Sequence, residues 1–238
     1  MPSRRVNGDN VSLQQFDAVG TIGEVDGFVV HAGLAQEGGE QSRRKLPVID
    51  MQPPLGNHEI GPVEVVGSAE LTDDEQRKID NFIDRHEAEH RAFAELGRRT
   101  VMSRAPEMYR VLPHAEDHLE EDGRYARRRF SCAGFVFEAY SEARIVLLDI
   151  SHLPELDRDE VEAHYGGQLA FAQRFDVPPE ALGLEGDGPW PVMMCGYLFH
   201  ALNRDPEMIR REPFRPTEEH TRFPGQCGIR RAKSSGPS

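Results

Sequence analysis

Residues 128–149 read RRFSCAGFVFEAYSEARIVLLD, and the reading of this stretch decides what the chain folds around. Ser131 is a suitable helix N-cap, because its hydroxyl can accept a hydrogen bond from a first-turn N–H that has no partner within the helix. The spacing predicts a helix over 132–143 with Phe135, Val136, Ala139, Tyr140 and Ala143 on its buried stripe. Cys132 then stands in the first turn. Unpaired N–H groups and the positive end of the helix dipole favour a thiolate there and lower the thiol pKa from its usual value near 8.5. The same N–H groups can stabilise an oxyanion, and Gly134 removes a side chain where a substrate needs room. A lone cysteine at a helix start is more often a small core residue than a nucleophile, so its surroundings decide between the two.

Upstream, residues 1–67 read as β-rich. VSLQQFDAVGTI (11–22), GFVVHAGLA (27–35), KLPVIDM (45–51) and PVEVVG (62–67) carry β-branched and aromatic residues, with Gly, Pro and polar clusters between them. Short spacings of this kind predict antiparallel meander pairing. Thr72, with Glu75 three residues on, opens a helix whose apolar residues Ile79, Phe82, Ile83, Phe93 and Leu96 run to Gly97. A polar connection over 113–123 leads to the Cys132 helix. Beyond Asp149, ELDRDEVEAHYGGQLAFAQRF (155–175) reads as a helix, VPPEALGLEGDGPWP (177–191) as a loop anchored by Trp190, and VMMCGYLFHALNRD (192–205) as a buried helix. The tail over 226–238 has the composition of a disordered segment.

The strand GFVVHAGLA carries the second reactive candidate. Alternation puts His31 on one face with Val29 and Gly33, and Gly33 opens space beside the imidazole. A carboxylate on the next strand, Asp50, can accept the Nδ1 proton, so that Nε2 faces the thiol in a nucleophile, base and orienter series. His58, in GNHEIG, is the alternative orienter. Cys195 sits in an apolar run where burial raises a thiol pKa and reads as core, and Cys227 lies in a Pro/Gly-rich tail.

The order of these elements resembles a known family. SCAGFVFEAYSEARIVLL is similar to the nucleophile helix of NlpC-type papain-like cysteine hydrolases. GFVVHAGLA resembles the H-x-G-aliphatic strand of their circularly permuted arm, which includes the YiiX-like and lecithin retinol acyltransferase-like proteins. There the order is His, then a polar orienter, then Cys after a helix. The resemblance covers roughly residues 15–150. It departs from the pattern at Ser131 and Ala133, where an aromatic and a Ser are usual, at Arg144 in place of a Gly, and after Asp149, where no counterpart is apparent. It implies an α+β fold: a small antiparallel sheet or half-barrel packed on the nucleophile-bearing helix over 1–150, with a helical C-terminal extension over 151–225. It also implies a Cys132, His31, Asp50 triad acting on an amide, ester or thioester carbonyl of a small-molecule, peptide or lipid-acyl substrate, with no cofactor and no metal. His200 and Tyr197 are candidates to shape the cleft.

A competing motif lies in His86-Glu87-Ala88-Glu89-His90, which has the H-E-x-x-H spacing of a zinc hydrolase. The charged flanks Asp84, Arg85, Glu89 and Arg91 argue for an amphipathic helix whose histidines line a polar seam. HAEDHLEED (114–122) reads as a solvated acidic loop. A third reading is a catalytically silent binding domain on the same scaffold.

Composition narrows the field. The chain has 238 residues and a formal net charge of −13, a field that repels nucleic acid and anionic membranes. No apolar run approaches the roughly 18 residues needed to span a bilayer, and MPSRRVNGDN lacks the apolar core of a signal peptide. Three widely spaced cysteines argue against a disulfide scaffold and predict a reducing, cytoplasmic setting.

Overall fold

The computed structural model of the chain describes residues 4–6, 9–23, 27–95, 107–119, 123 and 125–222. The strands of the first 67 residues are β1 (Arg4–Arg5), β2 (Asn10–Leu13), β3 (Ala18–Ile22), β4 (Val29–Ala35), β5 (Gly39–Ser42), β6 (Leu46–Asp50), β7 (Gly56–Ile60) and β8 (Val65–Gly67). Six of them form one sheet in the order β1-β8-β3-β4-β6-β7, antiparallel at every pairing. The predicted meander is present from β3 to β7, with β5 excluded because it pairs with β2 in a separate two-stranded sheet. Val11 and Leu13 of β2 join Val19, Leu46, Val48, Ile60 and Val66 of the large sheet in a satellite apolar cluster.

The helix α1 (Asp73–Glu95) starts at the expected place. Thr72 Oγ1 accepts from Glu75 N at 3.4 Å and Glu75 Oε2 accepts from Thr72 N at 2.8 Å, a reciprocal cap. The acidic connection over 113–123 is different from its reading as a loop. Residues Ala115–Leu119 form β9, antiparallel to β10 (Tyr125–Phe130). Register sets Arg128 opposite Asp117 and Arg129 opposite Glu116, and both pairs are ion-paired. Cross-strand charge complementarity, rather than apolar alternation, holds this ribbon.

The Cys132 helix is α2 (Cys132–Glu142), capped by Ser131, whose hydroxyl accepts from Gly134 N at 2.9 Å. Arg144, just past the end of this helix, adopts φ 65°, in the left-handed region that glycine reaches at least cost. The chain continues through α3 (Arg158–Gln173), α4 (Cys195–Leu202) and α5 (Pro206–Arg211). Trp190 anchors the loop between α3 and α4, donating Nε1–H to Glu185 O at 2.8 Å.

The architecture is α+β with antiparallel sheets, and the main apolar core unites it. One buried cluster takes in Leu34 of β4, Ile83 of α1, Phe135 of α2, Tyr165 of α3 and Phe199 of α4. The Phe199 ring lies so close to β3 that a Cβ on Gly20 would stand 2.8 Å from it. Residues 155–202 therefore share the core of the sheet that carries the site. Among the described residues, no helix is long and apolar enough to cross a membrane. The segment 226–238, with Cys227, lies outside the described residues.

Candidate active site

Asp50 organises one side of the site, and Gly33 makes room for it. Register pairs Asp50 with Gly33 on β4 and with Gly56 on β7. With no side chain opposite on either strand, the carboxylate leans to the diagonal neighbours, His31 and His58. His31 Nε2 donates to Asp50 Oδ2 at 2.7 Å, and His58 Nδ1 donates to Oδ1 at 2.6 Å. Gln52 adds its backbone N–H at 3.2 Å and its side-chain amide at 3.1 Å. Asp50 is fully buried. Burial alone would raise its pKa, but the imidazole donors outweigh it and hold the carboxyl down at about 2.

The role assigned to Gly33 from sequence needs correction. A Cβ there would meet Asp50 Cβ at 2.9 Å and Ile49 O at 3.1 Å, so Gly33 makes room for Asp50 rather than for the imidazole. The simple alternation along β4 also fails. Pairing shifts by one residue between Thr21↔His31 and Ile22↔Val29, and Val29 joins the main core with Ala32 and Leu34. Such an irregularity increases local twist and re-aims the adjoining side chain, here His31.

Cys132 sits at the start of α2 and is fully buried. Its sulfur lies near enough to the His31 ring for the two to shift each other's titration. Because Nε2 is taken by Asp50, Nδ1 is the nitrogen left for sulfur, the reverse of the ring orientation expected from sequence. Cys132, His31 and Asp50 are therefore brought together, and His58 stands behind Asp50 rather than replacing it.

Two residues missed in the sequence complete the surroundings of the sulfur. Tyr109 accepts from Cys132 N at 3.4 Å and donates to Cys132 Sγ at 3.7 Å. Cys195, the first residue of α4, brings its sulfur to 3.4 Å from Cys132 Sγ. The N–H of Cys132 is thus taken by Tyr109 and that of Gly134 by Ser131, so neither is free to act as the expected oxyanion donor. Gly134, too, serves packing: a Cβ would come within 2.0 Å of His114 O.

The electrostatics favour an ion pair. The hydrogen bond from Cys195 pulls the Cys132 pKa well below the ordinary thiol value; burial opposes this, while His31 and Tyr109 add to it. Burial disfavours a charged His31, but the bond to Asp50 and the interaction with Cys132 outweigh it and push the imidazole up to about 10. Burial and the neighbouring thiolate push the Cys195 thiol up.

A cleft of about 830 Å³ opens beside these groups. His31, His58, Gln52 and Tyr109 line one part and His164, Phe171 and Leu182 another. The sulfur of Cys132 lies one side chain behind this wall. His200 and Tyr197 do not line it: His200 donates to Arg222 O at 2.8 Å, and Tyr197 is buried in the core. The extension contributes through α3 instead. His164 is 3 % exposed, and neither ring nitrogen has a hydrogen-bond partner. Burial holds its pKa down at about 4, so the ring is neutral.

The H-E-x-x-H helix is engaged otherwise. His90 accepts from Leu55 N at 3.2 Å through Nδ1 and donates to Arg128 O at 2.8 Å through Nε2, leaving no lone pair for a metal. His86 bonds Glu89 at 2.7 Å and Glu87 pairs with Arg91. No three-residue metal-binding group occurs among the described residues. His90 fastens α1 to the chain beside β7 and to β10, while His86 bonds within α1 and packs its ring on Phe130. No protein-family model, no curated protein and no solved structure matches the chain.

Proposed function

We propose that the chain is a cysteine-dependent acyl-transfer enzyme, a hydrolase or acyltransferase acting on an amide, ester or thioester carbonyl. More narrowly, we read it as a permuted papain-like enzyme of the NlpC type, of the YiiX-like and lecithin retinol acyltransferase-like arm, working in a reducing, cytoplasmic setting. One observation carries this reading: His31, bonded to Asp50 at 2.7 Å and lining a cleft, is electrostatically coupled to a Cys132 sulfur that stands at a helix start.

The Cys132 thiolate adds to the carbonyl carbon. Charge develops on the carbonyl oxygen, where the Tyr109 hydroxyl, which lines the cleft and touches Cys132, can donate once it leaves the sulfur. His31 gives its proton to the leaving amine, alcohol or thiol and keeps its orientation through Asp50. It then takes a proton from water, or from an acceptor nucleophile, that attacks the thioester and frees Cys132. The buried sulfur requires the ring of Tyr109 or His164 to turn aside before the substrate reaches it.

The test is acylation of the protein by short nitrophenyl esters, peptidyl amides and alkyl thioesters, read by intact mass and peptide mapping. A thioester on Cys132, lost in Cys132→Ser and in His31→Gln, is expected. Acylation that persists in Cys132→Ser, or a folded wild-type protein that no acyl donor modifies at Cys132, would leave only a silent binding domain.

A further inference from the structure

Acyl transfer at Cys132 leaves Cys195 without a chemical task, yet its sulfur is in contact with the nucleophile. The two sulfurs are 3.4 Å apart, each on the first residue of its helix, and both are buried. Neither backbone can move easily. Gly196 packs on the chain so closely that a Cβ would lie 2.3 Å from Thr221 O, and a Cβ on Gly134 would lie 2.0 Å from His114 O. A disulfide needs sulfurs about 2.05 Å apart, a closure of roughly 1.4 Å from the present separation. Side-chain torsion alone must supply it.

We propose that Cys132 and Cys195 form a dithiol that a hydroperoxide converts to an intramolecular disulfide, a modification site that removes the nucleophile reversibly. The Cys132 thiolate attacks the distal peroxide oxygen, the O–O bond breaks, and the departing alkoxide or hydroxide takes the His31 proton as alcohol or water. Cys132 is now a neutral sulfenic acid. The negative charge that had held the Cys195 proton is gone. Cys195 sulfur then attacks Cys132 sulfur, hydroxide leaves with the Cys195 proton as water, and the S–S bond forms. Two thiol equivalents are oxidised and one hydroperoxide is reduced, with no other reactant. A small oxidant suits the location, since the sulfurs lie behind His31, Tyr109 and His164 and not on the open cleft.

The chemistry stands without the acyl reading; only its consequence, loss of acyl transfer on oxidation, depends on that reading. The experiment treats the full chain with hydrogen peroxide, blocks free thiols and maps peptides. The expected product is a Cys132–Cys195 cross-link, lighter by two hydrogens and fully reversed by dithiothreitol. In Cys195→Ser, and in Cys195→Ala should the serine fail to fold, Cys132 should instead be trapped by dimedone and advance to a sulfinic acid that dithiothreitol does not recover. Circular dichroism confirms that each variant is folded. Direct passage of wild-type Cys132 to sulfinic acid, a cross-link to Cys227 instead, or full dithiothreitol recovery in both folded Cys195 variants would overturn the proposal. None of these results depends on finding an acyl substrate.

Discussion

The ion pair at the site makes a quantitative demand on the reactivity of Cys132. His31 is held positive by Asp50 at 2.7 Å and acts on the thiol electrostatically, while Cys195 and Tyr109 bond the same sulfur. His31→Gln keeps the approximate size and a donor but removes the positive charge. An ordinary thiol with pKa near 8.5 is about 1 % thiolate at pH 6.5, so loss of the ion pair lowers the thiolate population by up to about 100-fold at that pH. A more basic thiolate is intrinsically more nucleophilic, which returns part of that loss. The net expectation is an alkylation rate at pH 6.5 that is lower in His31→Gln, by less than the roughly 100-fold change in population. The assay is peptide-resolved iodoacetamide modification from pH 4 to pH 10. Burial of the sulfur scales the whole profile without moving its midpoint, so the midpoint is the reliable readout. Asp50→Asn should shift it in the same direction by less. A wild-type Cys132 that titrates as an ordinary thiol, with a profile unchanged in His31→Gln, would refute the reasoning.

Stability should follow pH with a flat top. The raised His31 pKa contributes stability that is complete below about 6.5 and lost by about 10, whereas the lowered Cys132 pKa contributes stability that is complete above about 9 and lost as pH falls. The two slopes cancel between them, and from pH 9 to 10 the His31 loss alone amounts to about 1 kcal/mol; denaturant midpoints of wild type and a Cys132→Ser, His31→Gln double variant should show this descent in the former only. Gly33→Ala should cost about 1–3 kcal/mol by overpacking and, by displacing Asp50 from His31, raise the alkylation midpoint; an unchanged melting temperature and midpoint would contradict the packing argument. Ser131→Ala should cost about 1 kcal/mol through loss of the cap on α2, read by urea unfolding. His90→Ala should destabilise by about 1–3 kcal/mol, because Leu55 N–H and Arg128 O lose their partner; stoichiometric zinc in the wild type that disappears in this variant would reverse the structural role given to the helix.

Local chemistry made much of this molecule legible. The cap at Ser131 and the stripe from Phe135 to Ala143 define α2, because both depend on residues within one or two turns of each other. Likewise Thr72 and Glu75 mark the start of α1, and the β-branched runs mark β3, β4, β6 and β8. The strands β7 and β9 escaped, since Gly56–Ile60 and Ala115–Leu119 carry polar side chains whose partners lie on other strands. The order His31, Asp50, Cys132 was readable along the chain, and so was a helix start suited to a thiolate.

Only the tertiary structure could decide how those groups meet. That Gly33 and Gly56 stand opposite Asp50 is a matter of register, which no single strand encodes. That Nε2 rather than Nδ1 of His31 meets Asp50 is decided between two strands, β4 and β6. Cys195, read from its apolar neighbours as core, is core; its place beside Cys132 arises because two helices far apart in sequence begin at the same point in space. Sequence periodicity specifies which face of an element is buried, while closure of the sheet and helices on one core specifies which end of it touches which.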